Sequence, residues 1–431
     1  MSSISKRKEL LFKILTPIFS LTICLFLAET AYRVRLYHFL QRQDMEQSYL
    51  VVNSTPYAYD EEYGYHYVPN ATYVWVGIQR GQPGRVIYCW SGSVNEEGNI
   101  GIKNTLWSPN DFKVLVVGDS FSAMPAGPDG SVTWTDFLPG ALSECASTRV
   151  SVKNYARDGY GILQMFHLAL GMAHIYNPDL ILVAFITDDL TRSRFYRSTS
   201  TVGSEERILT SIIKIGNPPD MRYATDTMML NPKVTAQWCH LPQHEQEEIL
   251  LELHSQYDRL SSSRLSLDLK TMSKSFLYDR IVRGDPFYSS FEPSRNPRID
   301  YNDYSEDLLF TSDVRGLRDL NVPLSLVHIP DMSEMKAGRY LVNSEKEHLI
   351  KSLEHITGSK IMGLLPLVEH PAKWEELFLV PYDVHPSELG AAFYAKMIAN
   401  SLCRCVRSQK GAHGPKNTVV MRLPVPRSAT E

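Results

Sequence analysis

The stretch FKVLVVGDSFSAM, residues 112–124, sets a run of apolar side chains directly before an acid and a serine. Residues 114–117 are apolar and rich in β-branched side chains, and Gly118 ends the run, which is typical of a strand buried in a parallel sheet. Asp119 and Ser120 follow at once. Since open parallel sheets bind ligands beyond the carboxyl ends of their strands, Ser120 is a candidate functional residue.

The chain beyond this stretch alternates strand and helix patterns. The segments VSVKNYA, DLILVAFI and VPLSLVHIP predict further strands, and GYGILQMFHLALGMAHIY has apolar residues at helical spacing. Pro139 predicts that the helix of VTWTDFLPGALSECA is interrupted or restarts there. The alternation predicts an α/β fold, in which helices cover both faces of a parallel sheet.

The N-terminus predicts a membrane anchor. A basic cluster at residues 6–8 precedes an apolar stretch with no charge from residue 14 to 28, and about twenty apolar residues suffice to span a bilayer. We expect a signal anchor at residues 10–30, residues 1–9 in the cytoplasm and the main domain outside it, in the periplasm or extracellular space. A cleaved signal peptide is the alternative, but the run is long and no A-x-A site follows it.

Composition narrows the class of protein. The chain has 431 residues with 43% hydrophobic and 21% charged residues, typical of a folded protein. Its net charge of -4 gives no basic surface for nucleic acid, and no phosphate-binding glycine motif indicates a cofactor. Six cysteines, one of them in the apolar stretch, leave an odd number that an exported domain could oxidise. The sequence leaves the oligomeric state open.

Pattern changes suggest the domain organisation. Residues 31–110 are rich in aromatic residues, and YAYDEEYGYHYVPNATYVWVG alternates aromatic and polar side chains, which predicts short strands in a juxtamembrane segment. The main domain is expected at 111–402, with an insertion near 190–320 that contains the helical pattern HEQEEILLELHSQYDRL. Residues 403–431 are interpreted as a basic, disordered tail.

Three side chains could form a nucleophilic site. A serine needs a base to become a nucleophile, and a histidine needs a carboxylate to fix its tautomer. Ser120, His385 and Asp383 supply these types. The backbone N–H groups of Ser120 and Gly159 could donate to a developing oxyanion.

These residues also carry a family resemblance. VVGDSFS, NYARDGYG, PDLILVAFITDDL and DVHPSELGAAFYAKMIA resemble, in order, the blocks of the SGNH/GDSL hydrolases. The resemblance implies a flavodoxin-like three-layer αβα sandwich and acyl hydrolysis or transfer without a cofactor. It implies Ser120 as nucleophile, Gly159 as oxyanion donor, and Asp383 with His385 as the rest of a triad. The anchor resembles that of membrane-bound bacterial members.

Position 188 departs from the family pattern. The third block usually ends in Asn-Asp, and its Asn donates to the oxyanion, whereas this chain has Asp188-Asp189. An ionised carboxylate accepts hydrogen bonds and repels an oxyanion, and the loss of one donor typically costs about 3–4 kcal/mol of barrier. Three explanations stay open: burial keeps Asp188 protonated, Thr187 donates instead, or the site performs no acyl transfer.

The sequence therefore predicts a serine esterase or acyltransferase that removes or transfers a short acyl group, such as acetyl, on an envelope carbohydrate. One alternative is an inactive scaffold or binding protein of the same fold in polysaccharide modification. Another is a lipase or lysophospholipase at the membrane surface. Cys239, His240 and His244 are zinc-ligand types, but Pro242 lies between them, so we interpret them as loop residues and expect no metal.

Overall fold

The structure is a computed structural model. It describes residues 13, 15–17, 19–31, 49–53, 57–79, 86–100, 107–124, 132–143, 149–194, 198–202, 205–209, 211–214, 220–223, 228–229, 239, 241–242, 244–246, 299, 301–365, 374–379 and 385–410. The chain divides into two compact units. One comprises Met1–Leu50, Gln79–Arg85 and Glu247–Pro293, and the other comprises Val51–Ile78, Val86–Gln246 and Ser294–Glu431. The second unit contains the central sheet and the described residues of the candidate site.

The described residues of the predicted anchor are helical. Residues 13, 15–17 and 19–31 form this helix. Its large apolar side chains are exposed: Leu15, Phe19, Leu21, Ile23, Leu25, Phe26 and Leu27. Among the residues that the structure describes, no helix combines the length and the apolar character needed to cross a membrane. The anchor at 10–30 stays a prediction.

The aromatic-rich segment forms short strands, as its alternation predicted. The strands are β1 (Tyr49–Asn53), β2 (Tyr57–Asp60), β3 (Gly64–Tyr67), β4 (Thr72–Gln79) and β5 (Val86–Ser93). Strands β2 and β3 form an antiparallel hairpin, and β4 pairs antiparallel with β5. Tyr65 and Tyr67 of β3 are fully buried and belong to the hydrophobic core. The hairpin is therefore part of the folded unit.

The remaining strands include the five of the central sheet. They are β6 (Phe112–Gly118), β7 (Val150–Asn154), β8 (Leu180–Phe185), β9 (Ser198–Val202), β10 (Glu205–Leu209), β11 (Ser211–Lys214), β12 (Asp220–Tyr223), β13 (Met228–Met229), β14 (Leu324–His328) and β15 (Ile361–Gly363). The central sheet has the order β7–β6–β8–β14–β15, and every neighbouring pair is parallel. Numbered along the chain, this is the 2-1-3-4-5 order of flavodoxin-like doubly wound folds.

Helices cover both faces of the central sheet. They are α1 (Ser120–Ala123), α2 (Trp134–Ser143), α3 (Ile162–Tyr176), α4 (Leu308–Asp319), α5 (Met332–Ala337), α6 (Ser344–Thr357) and α7 (Glu388–Lys410). Leu115 and Val117 of β6 pack with α3, α4, α6 and the hairpin tyrosines. Val114 and Val116 face the other way and pack with α2 and α7. Because side chains alternate along a strand, this continuous apolar run supplies two cores, and the predicted three layers are present.

Helix α2 corrects one prediction. The helix runs without a break from Trp134 to Ser143, so an interruption at Pro139 was wrong. A proline within a helix removes one backbone hydrogen bond, here the bond to the carbonyl of Thr135. Leu138 and Leu142 of this helix are fully buried in the core with α7. The burial of this face offsets the lost bond.

Several predicted elements lie partly outside the described residues. Between β8 and β14, β9 pairs antiparallel with β10, and β11 with β12, which agrees with the expected break in the strand–helix rhythm. Of the helix predicted in the insertion, only residues 244–246 are described, and they are helical. Helix α7 continues through Lys410 into the predicted tail, and residues 411–431 lie outside the described part of the chain.

Candidate active site

Ser120 is the first residue of α1, at the sharp turn that follows β6. The side chain of Asp119 caps the helix by accepting from the N–H of Phe121 at 3.0 Å. An aspartate at this position satisfies a backbone donor that a short helix would otherwise leave unpaired. Ser120 is 8% exposed. The strand–turn–helix predicted from the opening stretch thus presents Ser120 at the carboxyl edge of the sheet.

His385 lies next to Ser120, although 265 residues separate them in the sequence. Its Nε2 lies 2.9 Å from Ser120 Oγ, within hydrogen-bonding distance. The N–H of Leu379 donates to the carbonyl of His385 at 3.1 Å, and the imidazole ring tilts against Phe121 with ring centroids 5.3 Å apart. A neutral imidazole in this position can accept the hydroxyl proton, as a general base must. The structure therefore joins the predicted nucleophile and base.

Asp383, the predicted third member of a triad, lies outside the described residues. Its contact with His385 stays a prediction.

The loop after β7 brings Gly159 to the same edge of the sheet. The N–H of Tyr155 donates to the carbonyl of Val116 at 2.8 Å, and that of Arg157 donates to Gly118 at 3.0 Å. The loop thus continues the pairing of β7 with β6 up to the residue before Asp119. Gly159 follows with a φ of 84°, a conformation that side chains with a Cβ rarely adopt. The oxyanion roles of the Gly159 and Ser120 N–H groups stay predictions.

Asn154, at the end of β7, supports the nucleophile turn. Its Nδ2 donates to the carbonyl of Ser122 at 2.7 Å and to the hydroxyl of Thr135 at 3.1 Å. Its Oδ1 accepts from the N–H of Ala156 at 2.9 Å. One buried amide therefore joins α1, α2 and the Gly159 loop.

Asp188 lies in a 3-10 turn, Thr187–Thr191, directly after β8. Its carboxylate is 47% exposed, with Oδ1 3.3 Å from Lys346 Nζ and Oδ2 3.9 Å from Arg192 Nη2. The idea that burial keeps Asp188 protonated does not fit this position. Two cations instead reduce the repulsion that its charge exerts on a nearby oxyanion.

Thr187, the alternative oxyanion donor, is engaged elsewhere. It is 4% exposed, and its hydroxyl donates to Glu334 and lies 2.8 Å from His328 Nε2. Burial, followed by the charge of Lys346, lowers the pKa of His328 to about 3, so the ring is neutral at pH 7. In this arrangement the single hydroxyl proton of Thr187 points to Glu334 and not to a substrate.

The sequence reasoning missed Arg192. This side chain is 12% exposed, pairs with the fully buried Asp189, and lies 3.8 Å from the equally buried Asp119. Its guanidinium also donates to the carbonyl of Tyr160 at 3.3 Å. One cation thus connects the loops after β6, β7 and β8. The spacing of Arg192 from Asp188 and Asp189, four and three residues, was the available signal.

The two buried acids share one cation. Burial raises the pKa of Asp119 to about 6, although the Arg192 charge opposes the change. Burial and the charge of Asp119 raise the pKa of Asp189 well above its usual range, again against Arg192. Because the carboxylates repel each other, they titrate as a pair, and the folded protein holds the first proton more tightly than free aspartate does.

The cysteine and histidine residues of the insertion form no metal-binding cluster among the residues that the structure describes. Cys239 is disulfide-bonded, so it presents no thiolate, and the side chain of His244 is 79% exposed. His240 lies outside the described residues. Within the described part of the chain, no group of three or more His, Cys, Asp or Glu side chains could hold a metal ion.

Comparisons with known proteins found one family that part of the chain resembles. Residues 114–217 match the family model of the GDSL-like lipase/acylhydrolases. This stretch includes Ser120, Gly159 and Asp188, and it ends before His385. The match confirms the predicted resemblance to the SGNH/GDSL hydrolases for residues 114–217.

A solved structure, the lipase/acylhydrolase from Enterococcus faecalis, is also similar. The two chains are 10% identical, with a TM-score of 0.33 over 68% of this chain and 96% of that chain. A TM-score this low does not support an argument from that protein to this one. A comparison with curated proteins found no match.

The shared cation predicts a pH dependence of stability. An acid whose pKa is raised on folding favours the folded state when protonated, so its stabilisation is lost as pH rises from 3.8 towards about 6. Asn also caps helices well, so Asp119→Asn removes the charge and keeps the cap. We expect wild type to lose stability relative to Asp119→Asn between pH 4 and 6, measured by urea unfolding.

Asp307 is a matched control, because it also caps a helix and pairs with an arginine, Arg194. Although burial opposes it, the Arg194 charge leaves the pKa of Asp307 lowered. Its stabilisation is present above the usual pKa of aspartate and is lost only below it. Between pH 4 and 6, the difference in the free energy of unfolding between wild type and Asp307→Asn should stay constant, whereas the difference between wild type and Asp119→Asn should change with pH. A difference for Asp119→Asn that stays constant over this range contradicts the prediction.

Proposed function

We propose that this protein is a serine esterase or acyl hydrolase of the SGNH type. The observation that carries the proposal is the 2.9 Å contact between Ser120 Oγ and His385 Nε2 at the carboxyl edge of a parallel sheet. A serine there without a base would be a polar turn residue. With an imidazole nitrogen in reach, it has the arrangement that acyl transfer needs.

The proposed reaction uses residues of this chain alone. Ser120 Oγ attacks the ester carbonyl while His385 Nε2 accepts its proton, and the N–H groups of Ser120 and Gly159 hold the oxyanion. His385 then returns the proton to the leaving alcohol. Water, or the hydroxyl of an acceptor, releases the acyl group from Ser120 by the same steps. Asp383 orients His385 in this scheme.

The charges around the site favour this reaction over an inactive scaffold. A scaffold would not require a serine and a histidine in hydrogen-bonding distance, and Asp188 is paired with Lys346 and Arg192. A positive charge on His385 lowers the pKa of Asp119, so the Asp119 carboxylate and a positively charged His385 stabilise each other. The imidazolium that forms during the attack is thereby stabilised.

The finer substrate is part of the proposal: a short acyl group, acetyl, on an envelope carbohydrate. Cys239 and Cys403 each take part in a disulfide bond, which suits a domain outside the cytoplasm. The exposed apolar helix at the N-terminus suits a membrane surface. A lipase or lysophospholipase at that surface is the alternative, and acyl-chain length distinguishes the two.

Replacing the nucleophile tests the reaction. Ser120→Ala should lower the hydrolysis of p-nitrophenyl acetate and of acetylated glycans by at least about 10³-fold, because no covalent intermediate can form. A fluorophosphonate probe should label wild type and not the variant, as read by mass spectrometry.

Three results would separate the possibilities. Equal inertness of wild type and Ser120→Ala towards both substrates, without labelling, contradicts the proposal. Activity that rises from acetate to long-chain esters supports the lipase alternative. Ser122→Ala is a matched control, since Ser122 is buried in the same helix α1 and lies near Trp134 rather than His385.

Asp188 allows a test by gain of function. Asp188→Asn puts the usual amide of the family at this position, and it should raise kcat about tenfold if the oxyanion lacks a donor there. Asp188→Ala removes the same charge without adding a donor. The prediction is that Asp188→Asn exceeds Asp188→Ala in kcat on p-nitrophenyl acetate, and equal values would show that position 188 supplies no donor.

We also propose a location for the protein. A single N-terminal helix holds it at the membrane, and the main domain lies outside the cytoplasm. The chain should stay in the membrane fraction after alkaline carbonate extraction. A chain without residues 1–31 should be soluble. Extraction of the full chain into the supernatant would contradict the anchor, since a spanning helix resists this treatment.

A further inference from the structure

The carbonyl of the peptide that joins Asp158 and Gly159 accepts a hydrogen bond from a tyrosine side chain. The hydroxyl of Tyr65, from hairpin strand β3, donates to the carbonyl oxygen of Asp158. Tyr65 is fully buried, and Asp158 is partly exposed. In a planar trans peptide, the C=O of one residue and the N–H of the next point in opposite directions. Holding the Asp158 carbonyl therefore fixes the direction of the Gly159 N–H.

Further contacts lock the hairpin to this loop. The N–H of Asp158 donates to the hydroxyl of Tyr67 at 3.1 Å. In the other direction, the hydroxyl of Tyr160 donates to the carbonyl of Tyr65 at 2.7 Å, and the rings of these two residues pack edge to face at 5.0 Å. Residues on both sides of Gly159 are thus bound to the same strand, so the hairpin limits the rotation of this peptide.

The bond also changes the peptide electronically. A donor on a peptide carbonyl polarises the peptide and strengthens its N–H as a donor. This effect grows as the groups are buried, and the Tyr65 side chain is fully buried. An oxyanion donor gains from both effects, because preorganised dipoles stabilise a developing charge without reorienting.

We propose that Tyr65 is a positioning residue for the oxyanion site and acts through the N–H of Gly159. The inference rests on the proposed function and extends it to the N-terminal hairpin, which lies outside the stretch 114–217 that matches the family. The segment expected to be a juxtamembrane segment would then take part in the chemistry of the catalytic domain.

Tyr65→Phe tests the inference, because it removes the hydroxyl and keeps the ring. A misaligned and weaker donor stabilises the transition state less than before and leaves ground-state binding almost unchanged. We expect kcat on p-nitrophenyl acetate to fall about tenfold and KM to stay within about twofold. Inhibition by phenylboronic acid, whose adduct with Ser120 places an oxygen in the oxyanion site, should weaken by about the same factor as kcat.

Tyr394→Phe is the matched control. Tyr394 is also fully buried and donates to a backbone carbonyl, that of Pro330, at 2.9 Å. Its removal should cost similar stability, as measured by the urea midpoint, and leave kcat and inhibition unchanged. A general loosening of the fold would affect both variants alike.

The outcomes separate the inference from the proposed function. If Ser120→Ala is inactive and Tyr65→Phe keeps the wild-type kcat, the proposed function stands and the role of Tyr65 is overturned. If wild type is as inert as Ser120→Ala, both are overturned. If Tyr65→Phe does not fold, 3-fluorotyrosine at position 65 keeps the hydroxyl and makes it a stronger donor. In that case kcat should rise without a change in KM, and an unchanged kcat overturns the inference.

Discussion

Three loops at the carboxyl edge of the sheet depend on one buried cation, Arg192. A guanidinium offers five donors in a fixed plane, so it can bind several acceptors at once. Here it meets Asp119 beside the nucleophile, Asp189 after β8 and the carbonyl of Tyr160 beside the oxyanion loop. Each of these loops follows a different strand. Hydrogen bonds within a single loop do not fix the distances between the three loops. A common partner constrains those distances.

This arrangement is costly because it buries more negative than positive charge. Two fully buried carboxylates with one guanidinium leave an uncompensated charge, and their raised pKa values express that cost. Sites of this kind are common where chemistry needs a charge, because the fold elsewhere offsets the strain. In this protein the excess negative charge lies close to His385, which becomes positive during the proposed attack. In the proposed reaction, the charge that costs stability would also stabilise this imidazolium.

The local sequence pattern predicted the strands and helices of the central sheet well. The buried strands beginning at residue 112 and the helix containing GYGILQMFHLALGMAHIY were found because periodicity is a property of neighbouring residues. Pro139 was misread because its local cost is offset by the burial of Leu138 and Leu142, which depends on distant parts of the chain. The contacts of Arg192 with Asp119 and of Tyr65 with the carbonyl of Asp158 were missed for the same reason, since they join residues that are distant in the sequence.

The sequence by itself determined which residue types stand after the strands and before the last helix, and so it indicated Ser120, Gly159 and His385 as candidates. The tertiary structure decided which of them meet. It set Ser120 and His385 2.9 Å apart, and it placed Lys346 beside Asp188 across 158 residues of chain. The reason is physical: strand and helix patterns depend on sequence spacing, whereas hydrogen bonds and charge pairs depend on distance through space. A carboxylate that the sequence presents as an obstacle to catalysis lies, in the folded chain, 3.3 Å from Lys346 Nζ and 3.9 Å from Arg192 Nη2.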